Sequence, residues 1–288
     1  MFFILKYRKF AYASLTILFI GTVFIWSAVF ARVADNILEV HFFSVGQGDS
    51  IFIETPNKKQ ILIDGGPDKT VLEKLNQTMP IYDRKIDLLV LTHPDADHVT
   101  GLVDVVNYYQ IGRILTSGFE RDTAVYRRWR DLISEKNIPI TIAQAGQRVV
   151  LGGGIVLEVV WPEQPLTGIK SANNASIVGK LIYGQSEFLL TGDIEKKIEN
   201  ILLKRNWNLK SDILKVPHHG SKSSSSYNFV KAIEPQIAVI SVGENNRYKH
   251  PHKDVLERFK NMSVFRTDKN GDIIIFTDGN AFEIKTER

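Results

Sequence analysis

The chain has 288 residues, with 36 Lys and Arg against 32 Asp and Glu for a formal charge of +4, and it has no cysteine. A disulfide framework, a thiolate metal site and a cysteine nucleophile are thereby excluded. The basic excess is entirely N-terminal: the segment through Ala34 holds four Lys or Arg and no acid, which leaves 32 of each sign in the rest and no net-charge argument for a polyanion-binding face.

In chain order, Phe10 to Ala31 comes first, 22 residues without a charge, long enough to span a hydrocarbon core about 30 Å thick. Lys6, Arg8 and Lys9 precede it and only Arg32 follows, a bias that keeps the N-terminus inside and places the rest outside the cytoplasm. A cleaved signal peptide is the alternative, because Val29-Phe30-Ala31 is an acceptable processing site, although the apolar run is long for one. Residues 1–34 are therefore expected to form a membrane anchor or signal segment. Residues 35–288 are expected to form one α/β domain, since no Pro/Ser-rich linker divides them.

Within that domain His41, beside Phe42 and Phe43, reads as a packed side chain on the first strand. The strands Ser50–Glu54 and Gln60–Ile63 flank the turn Pro56–Lys59 and end in Asp64-Gly65-Gly66; a helix over Val71–Gln77 leads to the strand Ile86–Leu91. That strand delivers His93, Asp95, Asp97 and His98 in H-x-D-x-D-H spacing. So many ionisable groups at one buried strand end would repel and pay for desolvation unless a cation neutralised them, and His with Asp supplies the N and O donors that divalent metals take. Farther on, Arg121, Arg127, Arg128 and Arg130 with Tyr126 and Trp129 read as a helix; it is either a plain solvated face, the simpler reading, or a contact for a polyanion. Gly152-Gly153-Gly154 reads as a hairpin turn.

The first pattern then recurs: strand Ser176–Tyr183, turn Gly184-Gln185-Ser186, strand Glu187–Leu190, Thr191-Gly192-Asp193, helix Ile194–Arg205, strand Ile213–Val216, and Pro217-His218-His219-Gly220-Ser221. Asp64 stands 29 residues before His93, and Asp193 stands 26 before His219. The repeat predicts two related halves with their strand ends facing one cleft. Ser221 and Lys222 open a Ser-Lys cluster through Ser226 that is either a solvated loop or a cradle of hydroxyls, N–H groups and one ammonium for a phosphate. His250 and His252 flank Pro251, His252 as a surface residue. The run from Val264 through Phe276 to Ile284 reads as a closing hairpin over the sheet.

Seven stretches, Val45–Ser50, Leu62–Gly66, His93–His98, Asn173–Val178, Leu190–Asp193, Val216–Ser221 and Asn246–Pro251, together make the chain resemble the metallo-β-lactamase fold superfamily, and within it the hydrolase domain of the competence channel protein ComEC and its stand-alone relatives. The resemblance spans residues 39 to 285. It implies a four-layer αββα sandwich with two divalent ions, Zn²⁺ or Mn²⁺, at one edge: His93 and Asp95 on one metal, Asp97, His98 and His219 on the other, and Asp193 bridging. Asp97, Asp193 and His218 would be the catalytic residues, with Asp64 and His250 at the site edge. The chain departs from the usual pattern in three places. Asp95 replaces the customary second His and favours harder ions such as Mn²⁺. No histidine lies between His98 and His218, so Asn173 or Asn174 is the nearest substitute for a ligand that many relatives supply there. Ser44 stands where competence-type domains commonly have Asp.

The function so implied is extracytoplasmic hydrolysis of DNA or another phosphodiester by attack of metal-activated water, with the DNA-uptake machinery as partner. The alternatives are a lactone, ester or cell-envelope phosphorylcholine-type hydrolase of the same fold, or a non-catalytic uptake or envelope scaffold.

Overall fold

The computed structural model describes residues 2–32, 36–205 and 207–288, with the side chains of 2–10 and 28–32 outside the described set. It divides into two compact units, Met1–Asn36 and Ile37–Arg288. The first is the helix α1 (Phe2–Arg32). Among the described residues no helix is long and apolar enough to cross a membrane. The flanking charges Lys6, Arg8, Lys9 and Arg32, the segment Val29-Phe30-Ala31 and the boundary at Ala34 lie outside the residues whose side chains are described.

The second unit begins β1 (Leu38–Phe42), β2 (Ile51–Glu54), β3 (Gln60–Ile63), α2 (Thr70–Thr78), β4 (Lys85–Ile86), β5 (Leu88–Leu91), α3 (Ala96–Tyr108), β6 (Gln110–Ile111), β7 (Ile114–Thr116), α4 (Ala124–Glu135) and β8 (Ile140–Ile142). It continues with β9 (Arg148–Gly152), β10 (Ile155–Trp161), β11 (Val178–Tyr183), β12 (Ser186–Leu190), α5 (Lys196–Lys204), β13 (Ile213–Lys215), α6 (Tyr227–Ile233), β14 (Ile237–Ile240), α7 (Lys253–Leu256), β15 (Ser263–Arg266), α8 (Thr267–Asn270), β16 (Ile273–Thr277) and β17 (Phe282–Thr286). One sheet has the order β17-β16-β1-β2-β3-β5-β7-β8 and the other β15-β14-β13-β12-β11-β10-β9.

The expected repeat is a repeat of topology. In the first half β2 pairs antiparallel with β3 and β3 parallel with β5; in the second β11 pairs antiparallel with β12 and β12 parallel with β13. Side chains that alternate along each strand build the layers. Ile61 and Ile63 point into the core between the sheets with Leu88, Val90, Ile213 and Val239, whereas Leu62, Leu89 and Leu91 point out to the helices, packing with Leu75 of α2, Val99 of α3 and Trp129 of α4. On the second sheet Leu214, Ala238 and Ile240 face outward onto Ile198 of α5, Phe229 of α6 and Val255 of α7. Each such aliphatic side chain contributes about 1.5–3 kcal/mol by leaving water. The result is the four-layer αββα sandwich.

Two expectations change. The C-terminal run does not form one covering hairpin: β15 extends the second sheet parallel to β14, and only β16 and β17 form a hairpin, which adds to the first sheet beside β1. The continuous strand expected over Ile86–Leu91 is broken at Asp87, with β4 leaving to pair with β6 in a separate two-stranded ribbon. At the break Asp87 accepts hydrogen bonds from Lys59 Nζ and the Gln60 N–H.

Candidate metal centre

Parallel pairing brings the ends of β3, β5, β12 and β13 to one edge, where ligand sites of open α/β sheets sit. Asp64 follows β3, and Thr92 and His93 follow β5. Asp95 caps α3 with φ −75° and ψ 150°, and Asp97 and His98 lie in its first turn. Asp193 follows β12 through Gly192. After β13 the chain turns left-handed at three successive residues, His218 (φ 52°), His219 (φ 53°) and Gly220 (φ 78°). Such backbone strain at non-glycine residues persists where the surroundings over-determine it, and here it aims two imidazoles at the same edge.

Asp97, His98, Asp193 and His219 each offer one ligand atom, and these atoms lie within 4.8 Å of one another. His98 Nε2 is 3.4 Å from Asp193 Oδ2, while His219 Nε2 is 3.3 Å from the same oxygen and 3.5 Å from Asp97 Oδ2. His93 joins the group, its ring centroid 4.1 Å from that of His98. The Nε2 atoms of His93, His98 and His219 and Oδ1 of Asp193 are buried without a hydrogen-bond partner. Orphaned buried polar atoms are costly and rare. The Nε2 atoms of His98 and His219 meet at Asp193 Oδ2 with His93 alongside, while Asp193 Oδ1 faces Lys215, and this donor set fits divalent cations.

The opposite ring nitrogens are held in place. His98 Nδ1 donates to Asp64 Oδ2 at 2.8 Å, and Asp64 is itself fixed by the N–H and hydroxyl of Thr92 at 2.8 and 2.6 Å. His219 Nδ1 donates to the Ser241 carbonyl at 2.9 Å, with Asp49 Oδ1 at 3.4 Å. His93 Nδ1 lies 3.1 Å from the hydroxyls of both Thr92 and Ser176. Asp64 is thus a support for His98 rather than a member of the four-atom cluster, in the carboxylate–histidine arrangement that sets tautomer and ring direction.

Burial and the neighbouring His98 depress His93 to a pKa of about 3, so it stays neutral. Burial also opposes charge on His98, yet Asp193, Asp64 and Asp97 together raise it well above the usual imidazole range. Asp193 does the same for His219 against its burial. Burial would raise Asp193 as well, but His219 and His98 hold it well below the carboxylate range.

Asp95 Oδ1 forms an ion pair with Arg121, and its Oδ2 stands 3.9 Å from His93 Nε2, so one oxygen remains directed at the site. His218 is partly exposed, with Nε2 4.0 Å from Asp193 Oδ2 and 3.4 Å from Asn173 Nδ2. Asn174 faces elsewhere: its amide donates to Glu195 Oε2 at 2.8 Å, and its Oδ1 accepts the Glu195 N–H at 3.2 Å. In the Ser-Lys cluster, Ser221 Oγ meets Ser223 Oγ at 3.0 Å, Ser223 Oγ meets His218 Nδ1 at 3.2 Å, and the N–H groups of Ser225 and Ser226 are taken by Glu199. Those two N–H groups are therefore spent on the fold, and the Lys222 side chain is exposed. His250 stands beside His218, ring centroids 5.8 Å apart. His252 is half-buried, not a surface residue, and its N–H donates to the Gly220 carbonyl at 3.0 Å. Ser44 donates its N–H to Asp272 Oδ1 at 2.7 Å, tying the first strand's end to the C-terminal hairpin.

Two residues beyond the expected set complete the site floor. Lys215, fully buried in β13, forms an ion pair with Asp49 and lies 3.8 Å from Asp193 Oδ1. A lysine inside the apolar run Ile213–Val216 was the sequence signal for it, since Lys is almost never buried unpaired. Asp49 sits in the Val45–Ser50 loop, which presses on the start of α3: a Cβ on Gly48 would stand 2.2 Å from the Asp97 carbonyl oxygen, and Gly48 has φ +152°. A cavity of about 580 Å³, lined by Lys59, Lys85, Asp87 and Val150 among others, has no histidine in its lining and adjoins the starts of β5 and β7, away from this cluster.

Fold and donor set together define a metallo-hydrolase-type scaffold. The Metallo-beta-lactamase superfamily matches residues 44–244, and the chain belongs to that superfamily. It is 33% identical over 258 residues to ComE operon protein 3 of Bacillus subtilis, covering 82% of this chain and 32% of that protein. It is 30% identical over 246 residues to Competence protein ComA of Neisseria gonorrhoeae, covering 83% of this chain and 32% of that protein. The chain thus spans about a third of the length of these competence-type relatives. Among solved structures, the metallo-beta-lactamase fold protein YhfI from Bacillus subtilis superposes with a TM-score of 0.57 at 11% identity, over 84% of this chain and 100% of that one, a likeness of fold.

Proposed function

We propose that this chain is a membrane-anchored, extracytoplasmic phosphodiesterase of the competence-nuclease type, acting on DNA or a related phosphodiester with two divalent ions, Zn²⁺ or Mn²⁺. The observation that carries the reading is the gathering of one ligand atom each of Asp97, His98, Asp193 and His219 within 4.8 Å of one another, with the buried, unpartnered Nε2 of His93 on the ring next to His98. The similarity to competence proteins supports a role in DNA uptake, and the partner proposed is the uptake machinery. The apolar side chains exposed along α1, among them Leu15, Ile17, Leu18, Phe19 and Phe24, support an anchor that faces lipid.

His93 and Asp95 would hold one ion, Asp97, His98 and His219 the other, with Asp193 between them. Bound there, divalent ions would lower the pKa of a water and offset charge on the phosphoryl oxygens. Asp97 and Asp193 orient the attacking water by accepting its hydrogens. Asp64 keeps the His98 proton on Nδ1, so Nε2 stays a donor of electrons to the site. His218, partly exposed and steadied by Ser223 and Asn173, is positioned to give a proton to the leaving oxygen. The test is hydrolysis by the purified protein under Mn²⁺ and under Zn²⁺ of single-stranded DNA, bis-p-nitrophenyl phosphate and a lactone. The reading expects the first two to be cleaved; cleavage of the lactone alone would replace it with an ester hydrolase.

A further inference from the structure

A groove of about 460 Å³ opens at the ligand Asp97 and is lined by Gln47 and Pro67 together with Asn246, Arg247 and Tyr248. The loop that carries the last three is fixed from within. Asn246 Nδ2 donates to the carbonyls of Gly243 and His250 at 3.0 and 2.7 Å, and its Oδ1 accepts the His250 N–H at 2.9 Å. The loop is also pinned to Gln47, whose Oε1 accepts the Gly243 N–H at 3.2 Å.

From the ligand His219 outward the planar groups form a ladder. His219 stacks on His250 at 6.4 Å and 28°, His250 stacks on Tyr248 at 5.6 Å and 22°, and the Arg247 guanidinium lies 4.8 Å from the Tyr248 ring centroid. Arg247 Nη2 also donates to the Tyr248 hydroxyl at 2.6 Å. Among the described residues Arg247 has no carboxylate partner, whereas Arg121, Arg127, Arg128 and Arg130 each pair with an acid. It is thus a preoriented cation with donors to spare, one loop away from the metal cluster. A substrate with a single phosphate needs no such group beyond the reacting centre. A polymer that carries a phosphate on either side of the scissile one does.

We propose that the groove beside Asp97 holds the flanking phosphate of a nucleic-acid strand, with Arg247 as its contact. The inference rests on the phosphodiesterase reading for the position of the scissile bond, and its test does not depend on turnover. The metal-loaded full chain, kept in solution with a non-ionic detergent, is titrated with a fluorescein-labelled, phosphorothioate-linked oligothymidylate that keeps the backbone charge and resists cleavage. Anisotropy is followed over a range of salt concentrations. Each phosphate contact on a single strand contributes about 0.7 to the slope of log K against log salt. Arg247→Ala is expected to lower the slope by about that amount and weaken binding several-fold, Arg247→Lys to restore the slope, and the remote Arg128→Ala to match wild type. An Arg247→Ala slope equal to wild type, or a wild-type protein that does not bind the oligonucleotide, overturns the proposal. A wild type that binds and shows the Arg247 effect but cleaves no phosphodiester defeats the nuclease reading and leaves this subsite standing.

Discussion

Asp64 illustrates how much of this centre is set one step behind the ligands. Its carboxylate takes three donors, from Thr92 N–H, Thr92 Oγ1 and His98 Nδ1, and so leaves His98 one way to point. Asp64→Asn should weaken metal binding about 10–100-fold, the usual effect of losing such a partner, with calorimetric titration as the measurement; unchanged affinity would make Asp64 a purely structural group. Asp95 divides its oxygens between Arg121 and the site, something an imidazole cannot do. Asp95→His should move metal preference from Mn²⁺ toward Zn²⁺, and a wild-type metal profile would show that Asp95 does not ligate. The carboxylates around them raise His98 and His219 well above the imidazole range in the metal-free protein, so protons compete with metal for both rings. Metal must displace those protons, so apparent affinity should fall as pH is lowered and rise as pH is raised. Titrations in buffers of different ionisation enthalpy should report proton release on binding; zero release would contradict this charge assignment.

Strand ends and tight loops set these residues in place. The glycine of the Val45–Ser50 loop that packs on Asp97 is intolerant of a side chain, because its Cβ would meet a backbone carbonyl and its φ is one that alanine avoids. Gly48→Ala should therefore cost about 1–3 kcal/mol, read as a lower urea midpoint at unchanged m-value, and should displace Asp97 enough to weaken metal binding. A variant with wild-type midpoint and affinity would show that the loop yields freely. The strand-borne ligands were legible in the sequence because an apolar run ending in a polar cluster is a one-dimensional pattern, and His93, Asp97, His98, Asp193 and His219 all sit at such ends. Asp49 and Lys215 were not read as site residues, because their pairing joins a loop to a strand more than 160 positions away. Likewise the break at Asp87 and the parting of β15 from β16 are decided by tertiary pairing, which no local periodicity records.

Across the whole domain, two copies of a strand, hairpin, carboxylate, helix and strand motif face each other, and the composite site needs both. The first half supplies His93, Asp97 and His98; the second supplies Asp193 and His219, with Asp193 Oδ2 within 3.4 Å of an imidazole from each half. Removing Asp193 should therefore separate catalysis from folding, because the strands and cores that build the sandwich lie elsewhere. The central claim is that this shared carboxylate runs metal-dependent phosphodiester hydrolysis. Its most direct test is the rate of single-stranded DNA cleavage under Mn²⁺ and Zn²⁺ by the wild type and by Asp193→Ala, each confirmed folded by circular dichroism. Wild-type cleavage that chelation abolishes and that Asp193→Ala lowers by about three orders of magnitude is the predicted result. Equal rates in the two proteins, or no cleavage by the wild type under either metal, would contradict it.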